Sequence, residues 1–165
     1  MFREMRRRKQ LLSMEESRRI LERQTAGVLA VAGDDGYPYA VPVSYVYMQG
    51  KVYLHSALQG HKIDGILRES KVSLCVIDRD QIVPEKFTTY FRSVILFGRA
   101  KSVAEEQEKW RALELLGDKY APGNQAGCRA EIEQQLRHTC VIEIAIEHMT
   151  GKEAIELVRE KETGF

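Results

Sequence analysis

The chain has 165 residues, of which 44% are hydrophobic and 30% charged, and this composition is typical of one soluble globular domain with a substantial core. The 25 Lys and Arg residues nearly balance the 24 Asp and Glu residues, so the charge gives no reason to expect a nucleic-acid partner. No apolar run approaches the ~20 residues that span a bilayer, and no hydrophobic signal segment follows the basic start, so we expect neither a membrane partner nor secretion.

The N-terminal region is predicted to form a basic tail over residues 1–12 and then a capped helix. We interpret the cluster from Arg6 to Lys9 as a solvated tail rather than a nucleic-acid arm, because the total charge is near neutral. Ser13 and Glu16 have the spacing of a capping box, in which each side chain bonds the backbone of the other residue. The helix is predicted to end near Gln24.

Three strands joined by two tight turns are predicted next, at residues 27–32, 39–48 and 51–56. Residues 34–36 (DDG) mark the first turn, and residues 49–50 (QG) mark the second. Directly opposed residues of a hairpin share a face, so a two-residue second turn would place Ser44 opposite His55 at the open end of the hairpin. Apolar residues on both faces of this hairpin indicate a barrel whose outside is also covered.

The end of the third predicted strand has the layout of an anion site. His55 and Ser56 end the strand, and His61 and Lys62 open a helix after a short polar loop. Free backbone N–H groups and the helix dipole favour an anion such as a phosphate at a helix start. The same residues also fit an ordinary hairpin followed by a capped helix.

The second half is predicted to contain strands on either side of a helical excursion. Residues 78–90 include Val83-Pro84 and show no clear period, so we interpret them as a long loop. Gly98 indicates a bulge or a close backbone approach within a strand. The predicted elements are strands at 72–77, 93–103 and 141–146 and helices at 105–120 and 130–137. Together these elements predict an α+β fold, a six-stranded antiparallel barrel with flanking helices.

The order of these motifs resembles the flavin-binding split-barrel proteins related to pyridoxamine 5'-phosphate oxidase, and within them the nitroimidazole-resistance branch. The matching pieces are LSMEESRRIL, GVLAVA, DDGYPYAVPVSYVY, GKVYLHSALQGHKIDGI, YFRSVILFGRA and IEHMTGK, which together span nearly the whole chain. The resemblance implies a split barrel that forms a homodimer, with flavin mononucleotide (FMN) at the subunit interface and a small-molecule substrate.

The resemblance also implies which residues contact the cofactor. In the family, the strand that matches residues 41–44 lies along the flavin ring through its backbone, and the basic residues after the loop hold the phosphate. The strand that begins at Ser93 comes from the partner subunit, although the oxidase has a glutamine at that position. The implied cofactor-binding residues are Val41, Pro42, Val43, Ser44, His55, Ser56, His61, Lys62 and Ser93.

His55 is the candidate for chemistry, because a histidine in a flavin pocket can orient a substrate or deliver a proton. The alternative is a structural barrel histidine bonded to Ser44 or to a backbone carbonyl. We expect an FMN-dependent oxidoreductase, with nitro-group reduction as the sharpest candidate. The C-terminal GKEAIELVREKETGF lacks the tryptophan and the Arg-x-His of the oxidase, which argues against pyridoxamine phosphate oxidation. The alternatives are a flavin carrier without turnover and a split barrel that binds haem or another ligand.

The cysteines and histidines do not indicate a metal site. Cys75, Cys128 and Cys140 include no CxxC, which favours reduced thiols in a cytoplasmic protein. A metal site built from His55, His61, Asp64 and Cys75 would lack the usual ligand spacing, so we expect no metal.

Overall fold

One antiparallel sheet organises the protein, whose computed structural model describes residues 1–163. Within these residues, seven strands form the sheet in the order β2-β1-β5-β6-β7-β4-β3. The strands are β1 (Ala26–Ala32), β2 (Pro38–Ser44), β3 (Val46–Met48), β4 (Lys51–Ala57), β5 (Lys71–Val83), β6 (Thr88–Ser102) and β7 (Thr139–Glu153). The helices are α1 (Met14–Arg23), α2 (His61–Arg68), α3 (Glu106–Tyr120), α4 (Gln125–Gln135) and α5 (Ile155–Thr163).

The predicted α+β class and antiparallel sheet are confirmed, whereas the prediction of six strands is wrong. The segment predicted as one strand over residues 39–48 is broken at Tyr45 into β2 and β3, which accounts for the seventh strand of the described chain. Hydrogen bonds do not close the sheet, because β2 and β3 are its two edges. The sheet nevertheless curls until β2 approaches β4, and the chain crosses this gap at Tyr45. We call this crossing point the seam.

The seam is held by the end of α3. Tyr45 is fully buried, and its backbone N–H donates to the Tyr120 hydroxyl oxygen at 2.7 Å. The Tyr120 hydroxyl also lies 2.9 Å from the carbonyl oxygen of Tyr45 and 2.5 Å from that of Thr25, so its proton is shared between two acceptors. The ammonium of Lys119 lies 4.3 Å from the centre of the Tyr45 ring. One tyrosine hydroxyl thus ties the seam both to α3 and to the segment before β1.

The break at Tyr45 explains why the predicted pairing of Ser44 with His55 is wrong. The predicted turn forms, and Val46 pairs with Tyr53. Ser44 instead pairs with Ala26 of β1, and His55 pairs with Val141 of β7. The two residues therefore belong to opposite ends of the sheet order and meet only where the sheet curls.

The predicted loop over residues 78–90 is wrong, because β5 and β6 continue through it as a long hairpin. The register runs to Val83 opposite Thr88, with a bulge between Ile77 and Arg79. Residues 88–91 (TTYF) are good strand formers. The hairpin tip is the short turn Pro84–Lys86, followed by Phe87 in the left-handed region at φ 49°.

Two local predictions are confirmed. Ser13 and Glu16 form the complete capping box at the start of α1, which ends with Gln24 as its C-cap. The register of β6 against β7 shifts between Phe97 and Gly98, and a Cβ at Gly98 would lie well inside van der Waals contact of the Ala145 carbonyl oxygen. Gly98 is thus both the bulge and the close backbone approach.

The core has two large parts, on the two sides of β4, and a third, small cluster of Tyr90, Ala154 and Leu157 beside the β5–β6 hairpin. The barrel interior is filled by fully buried side chains such as Leu54, Leu74 and Ile144. The second part lies under α3, where Leu116 packs with Tyr53 and Val141. Consecutive residues of β4 therefore face different layers.

A buried carboxylate anchors the second core part. Glu143 of β7 is 3% exposed, and its carboxylate accepts hydrogen bonds from Lys51 Nζ at 2.8 Å and from the Tyr53 hydroxyl at 3.2 Å. Lys101 Nζ lies 3.6 Å from the other carboxylate oxygen of Glu143. Burial alone would raise the pKa of Glu143, but the hydrogen bond from Lys51, a hydrogen bond with Glu108 and the charges of Lys51 and Lys101 outweigh it. Together they hold that pKa below its usual value.

Apolar side chains remain exposed on the convex side of the sheet. We call this the outer face and define it by Val28, Ile77, Ile95 and Phe97, which are 37%, 58%, 40% and 40% exposed. The ring of Phe2 stacks over part of it, 5.6 Å from the Phe97 ring and 4.6 Å from the His148 ring. Exposed apolar surface of this kind normally marks an interface.

Candidate functional site

The start of α2 presents backbone donors without a side-chain cap. The N-cap residue is Gly60, at φ 131° and ψ 168°, and no side chain bonds the first turn. The carbonyl of Gly60 accepts the N–H of Asp64 at 3.0 Å, so the helix begins directly after this glycine. The uncapped N–H groups and the positive end of the helix dipole suit an anion.

Lys62 is available to such an anion, whereas His61 is partly engaged. Lys62 is half-buried and takes part in none of the ion pairs formed within residues 1–163. The His61 ring stacks on Tyr39 with ring centres 4.0 Å apart, and its Nε2 lies 3.6 Å from an Asp34 carboxylate oxygen. Arg68 bonds Asp34 at 2.8 Å, and this bond, with the charge of His61, lowers the pKa of Asp34. Lys62 is therefore the stronger of the two predicted phosphate ligands.

His55 and Ser56 point to opposite faces of β4, because side chains alternate along a strand. His55 is exposed on the side of α3 and lines a cavity there. Ser56 is half-buried on the other side, opposite Cys140 of β7. Their side chains therefore serve different parts of any site at this strand end.

Residues 41–44 lie on an edge strand, as a backbone contact to a planar ring requires. β2 pairs with β1 alone, with Pro42 opposite Val28 and Ser44 opposite Ala26. A proline without an N–H is tolerated at such an edge. The opposite edge of β2 keeps free backbone groups that a ligand can bond.

Ser93 is separated from this edge. It lies on β6, opposite Ile77 and Lys152, and two strands, β1 and β5, stand between it and β2. Three strand spacings amount to about 14 Å. Ser93 is thus not a neighbour of β2 within the sheet of its own chain.

Sequence reasoning missed a cavity of about 700 Å³ between the seam and the α3–α4 hairpin, which we call the helical cavity. The stripe of α3 that forms one wall has the spacing of ordinary packing residues. Gly117, which contacts Cys128 of α4, was the only local sign of a close helix crossing. The residues lining the helical cavity are Ser44, His55, Leu113, Leu116, Gly117, Tyr120, Ala121, Asn124, Gly127, Cys128, Glu131, Ile132, Gln135 and Thr139.

The structure thus gathers some of the predicted site residues and separates others. Ser44 and His55, which do not pair, share the wall of the helical cavity. Across residues 1–163, no three His, Cys, Asp or Glu side chains converge as metal ligands do. Over the same residues, no helix is both long enough and apolar enough to cross a membrane.

Comparison with solved structures identifies the fold. A candidate 5-nitroimidazole antibiotic resistance protein from Bacteroides thetaiotaomicron is 21% identical with a TM-score of 0.71, over 87% of this chain and 86% of that one. A FAD-binding protein from Mesorhizobium loti is 26% identical with a TM-score of 0.63, over 87% of this chain and 96% of that one. A flavocytochrome from Azotobacter vinelandii is 22% identical with a TM-score of 0.79, over 92% of this chain and 72% of that one. These similarities confirm the predicted split-barrel architecture.

Comparison of sequences gives the same family as the motifs did. No curated protein matches the chain. The family model described as pyridoxamine 5'-phosphate oxidase matches residues 13–153, from the capping box to the end of β7. The chain therefore belongs to the pyridoxamine 5'-phosphate oxidase family.

Proposed function

We propose that the protein is an FMN-dependent oxidoreductase that holds the flavin phosphate at the start of α2. The observation that carries the proposal is the uncapped first turn of α2 next to Lys62, which has no carboxylate partner in the described chain. Membership of the family and structural neighbours described as flavin-binding proteins support a flavin cofactor. The sequence offers one such anion site and no second glycine-rich phosphate loop, which favours the mononucleotide over FAD.

In the proposed site, different residues bind the phosphate, contact the flavin ring and orient the substrate. Lys62 and the first N–H groups of α2 neutralise the phosphate, and the Ser56 hydroxyl donates to a phosphate or ribityl oxygen. The free edge of residues 41–44 bonds the ring. Bound flavin supplies the redox chemistry, and His55 orients the substrate or delivers a proton to it.

We propose further that the active form is a homodimer. The outer face leaves apolar side chains exposed, and Ser93 stands three strands from β2 in the sheet of its own chain. A second copy over the outer face would cover these side chains and bring its own Ser93 towards the ring. Light scattering should then give about twice the chain mass of 18.9 kDa. A monomer that still binds flavin would contradict the shared site.

The phosphate contact is tested by flavin titration of two lysine variants. Lys62→Ala should weaken FMN binding about tenfold to a hundredfold, because a charge-assisted bond to phosphate is lost. Lys71→Ala is the control, since Lys71 is exposed at the start of β5, beyond the C-terminal end of α2 and not at its first turn. Equal affinity in both variants would show that Lys62 is only a surface lysine.

The cofactor and the activity need separate measurements. Mass analysis of the released chromophore distinguishes FMN from FAD, and a Soret band would instead indicate haem. Anaerobic mixing of photoreduced protein with a 5-nitroimidazole then tests nitro reduction without knowledge of the natural electron donor. Rapid flavin reoxidation supports a reductase, whereas unchanged reduced flavin favours a carrier.

A further inference from the structure

We infer that the helical cavity is a substrate pocket that accepts neutral or cationic ring compounds and rejects anions. This inference rests on the proposed function only in placing the reacting group of the substrate near the flavin. The recognition itself belongs to the cavity and is measurable without turnover.

The position of the cavity suits a substrate pocket. Ser44 and His55 belong both to its wall and to the strand ends assigned to the flavin, so a molecule in the cavity lies next to the ring. Its volume of about 700 Å³ is within the range of small-molecule sites. The site is therefore large enough for a substituted aromatic ring.

The walls combine apolar surface with neutral hydrogen-bonding groups. Leu113, Leu116 and Ile132 supply the apolar contacts, and the last two are buried in the core. Gln135 and Thr139 place an amide and a hydroxyl at the same wall. Such a lining binds a flat apolar body and orients it through one or two polar substituents.

Among acidic and basic side chains, the lining holds a carboxylate but no lysine or arginine. Glu131 is its only acidic residue, and neither lysine nor arginine contributes to it. Within residues 1–163, Glu131 takes part in no ion pair, while the neighbouring Arg129 is bound to Glu114 at 3.4 Å. A phosphate or carboxylate entering the cavity would meet the Glu131 carboxylate and no lysine or arginine side chain.

The Cys128 thiol in the same wall reports the same environment. Burial raises the pKa of Cys128, and the carboxylates of Asp118 and Glu114 raise it further, against a smaller opposing effect of Arg129. The wall thus disfavours negative charge at a point independent of Glu131.

The test uses three ligands of one shape and different charge: para-nitrobenzylamine, para-nitrobenzyl alcohol and para-nitrobenzoate. Calorimetry on the flavin-loaded protein should show the amine and the alcohol binding, with the benzoate at least about tenfold weaker than the alcohol. Glu131→Gln should reduce the amine-to-benzoate preference about threefold to fivefold, as for an exposed ion pair screened by water. Glu133→Gln, an exposed carboxylate of α4 outside the lining, is the control and should leave the preference unchanged.

A second pair of variants tests the location. Ala121→Trp places an indole at the cavity wall and should abolish binding of the alcohol, whereas Ala130→Trp, exposed on α4 outside the lining, should not. Thermal unfolding checks that both variants fold; a misfolded Ala121→Trp leaves the decision to the charge series. Benzoate binding equal to that of the alcohol, or full binding in a folded Ala121→Trp variant, overturns the inference.

The flavin-free protein separates this inference from the proposed function. If the same charge preference persists without flavin, the pocket stands even when no reduction is observed. If FMN binds and Lys62→Ala weakens that binding, but the ligands show no charge preference, the pocket inference is refuted while the proposed flavin site is supported.

Discussion

Removal of the Tyr120 hydroxyl tests whether α3 holds the seam of the barrel. In Tyr120→Phe, the buried backbone N–H of Tyr45 loses its acceptor, and the carbonyls of Tyr45 and Thr25 lose a donor. The ring remains, so the packing of α3 changes little. The variant therefore isolates the hydrogen bonds.

The expected loss of unfolding free energy follows from the Tyr45 backbone N–H that is left without an acceptor. A buried backbone donor without a partner costs about 1–3 kcal/mol, and Tyr45 is fully buried. For a chain of this size each kcal/mol corresponds to about 2–4 °C in the midpoint of thermal unfolding. We expect the unfolding free energy to fall by about 1–3 kcal/mol and the midpoint by about 2–12 °C.

The assay is urea unfolding at one fixed protein concentration, because association would otherwise shift the apparent stability. Tyr37→Phe is the matched control, since Tyr37 is 75% exposed and should change the free energy by less than about 0.5 kcal/mol. Amide exchange at Tyr45 should also accelerate in Tyr120→Phe. If the unfolding free energy and the Tyr45 amide exchange rate equal those of the control, the Tyr120 hydroxyl does not stabilise the seam.

Three further predictions concern other parts of the molecule. Gly98→Ala should destabilise the sheet by more than about 1 kcal/mol in urea unfolding, because its Cβ would collide with the Ala145 carbonyl; a neutral variant would contradict the close approach. The folded pKa of Glu143 lies below the unfolded one, so its stabilisation is complete above about pH 4.3 and is lost as pH falls through the folded pKa. Glu143→Gln should therefore flatten the acid dependence of the unfolding free energy, and an unchanged slope would show that Glu143 does not carry it. His55→Ala should keep flavin affinity and thermal stability but lower turnover by about 10²–10⁴-fold; joint loss of stability and flavin would mark a structural histidine.

The features that were predictable from sequence are those set by neighbouring residues. The capping box of Ser13 and the bulge at Gly98 depend on a few adjacent positions. The pairing of Ser44 was mispredicted because the break at Tyr45 is fixed by Tyr120, which lies 75 residues away in the chain. The outer part of the β5–β6 hairpin was mistaken for a loop because most of its residues are exposed and show no period. Its few packing residues, Val83, Tyr90 and Phe91, contact the distant Ala154 and Leu157 rather than the barrel interior.

The candidate site divides in the same way. The strand end at His55 and the helix start at Lys62 follow one another in the chain, so their order could be read directly. The helical cavity forms only where α3 and α4 cross beside the seam, and no local pattern encodes that meeting. Ser93 was assigned through the family resemblance alone, and in the structure it stands three strands from β2 in the sheet order.

The Phe2 stack has a consequence for association. The ring occupies part of the outer face, beside Phe97 and His148. In the homodimer proposed above, a second copy that covers this face would first have to displace the N-terminal segment that carries Phe2. This segment, the N-terminal arm, would therefore compete with dimerisation from within its own chain. The measured dimer affinity is then the intrinsic affinity reduced by the fraction of chains with the arm lifted. Phe2→Ala should tighten the dimer, and cleavage of the arm by protease should become faster as protein concentration rises.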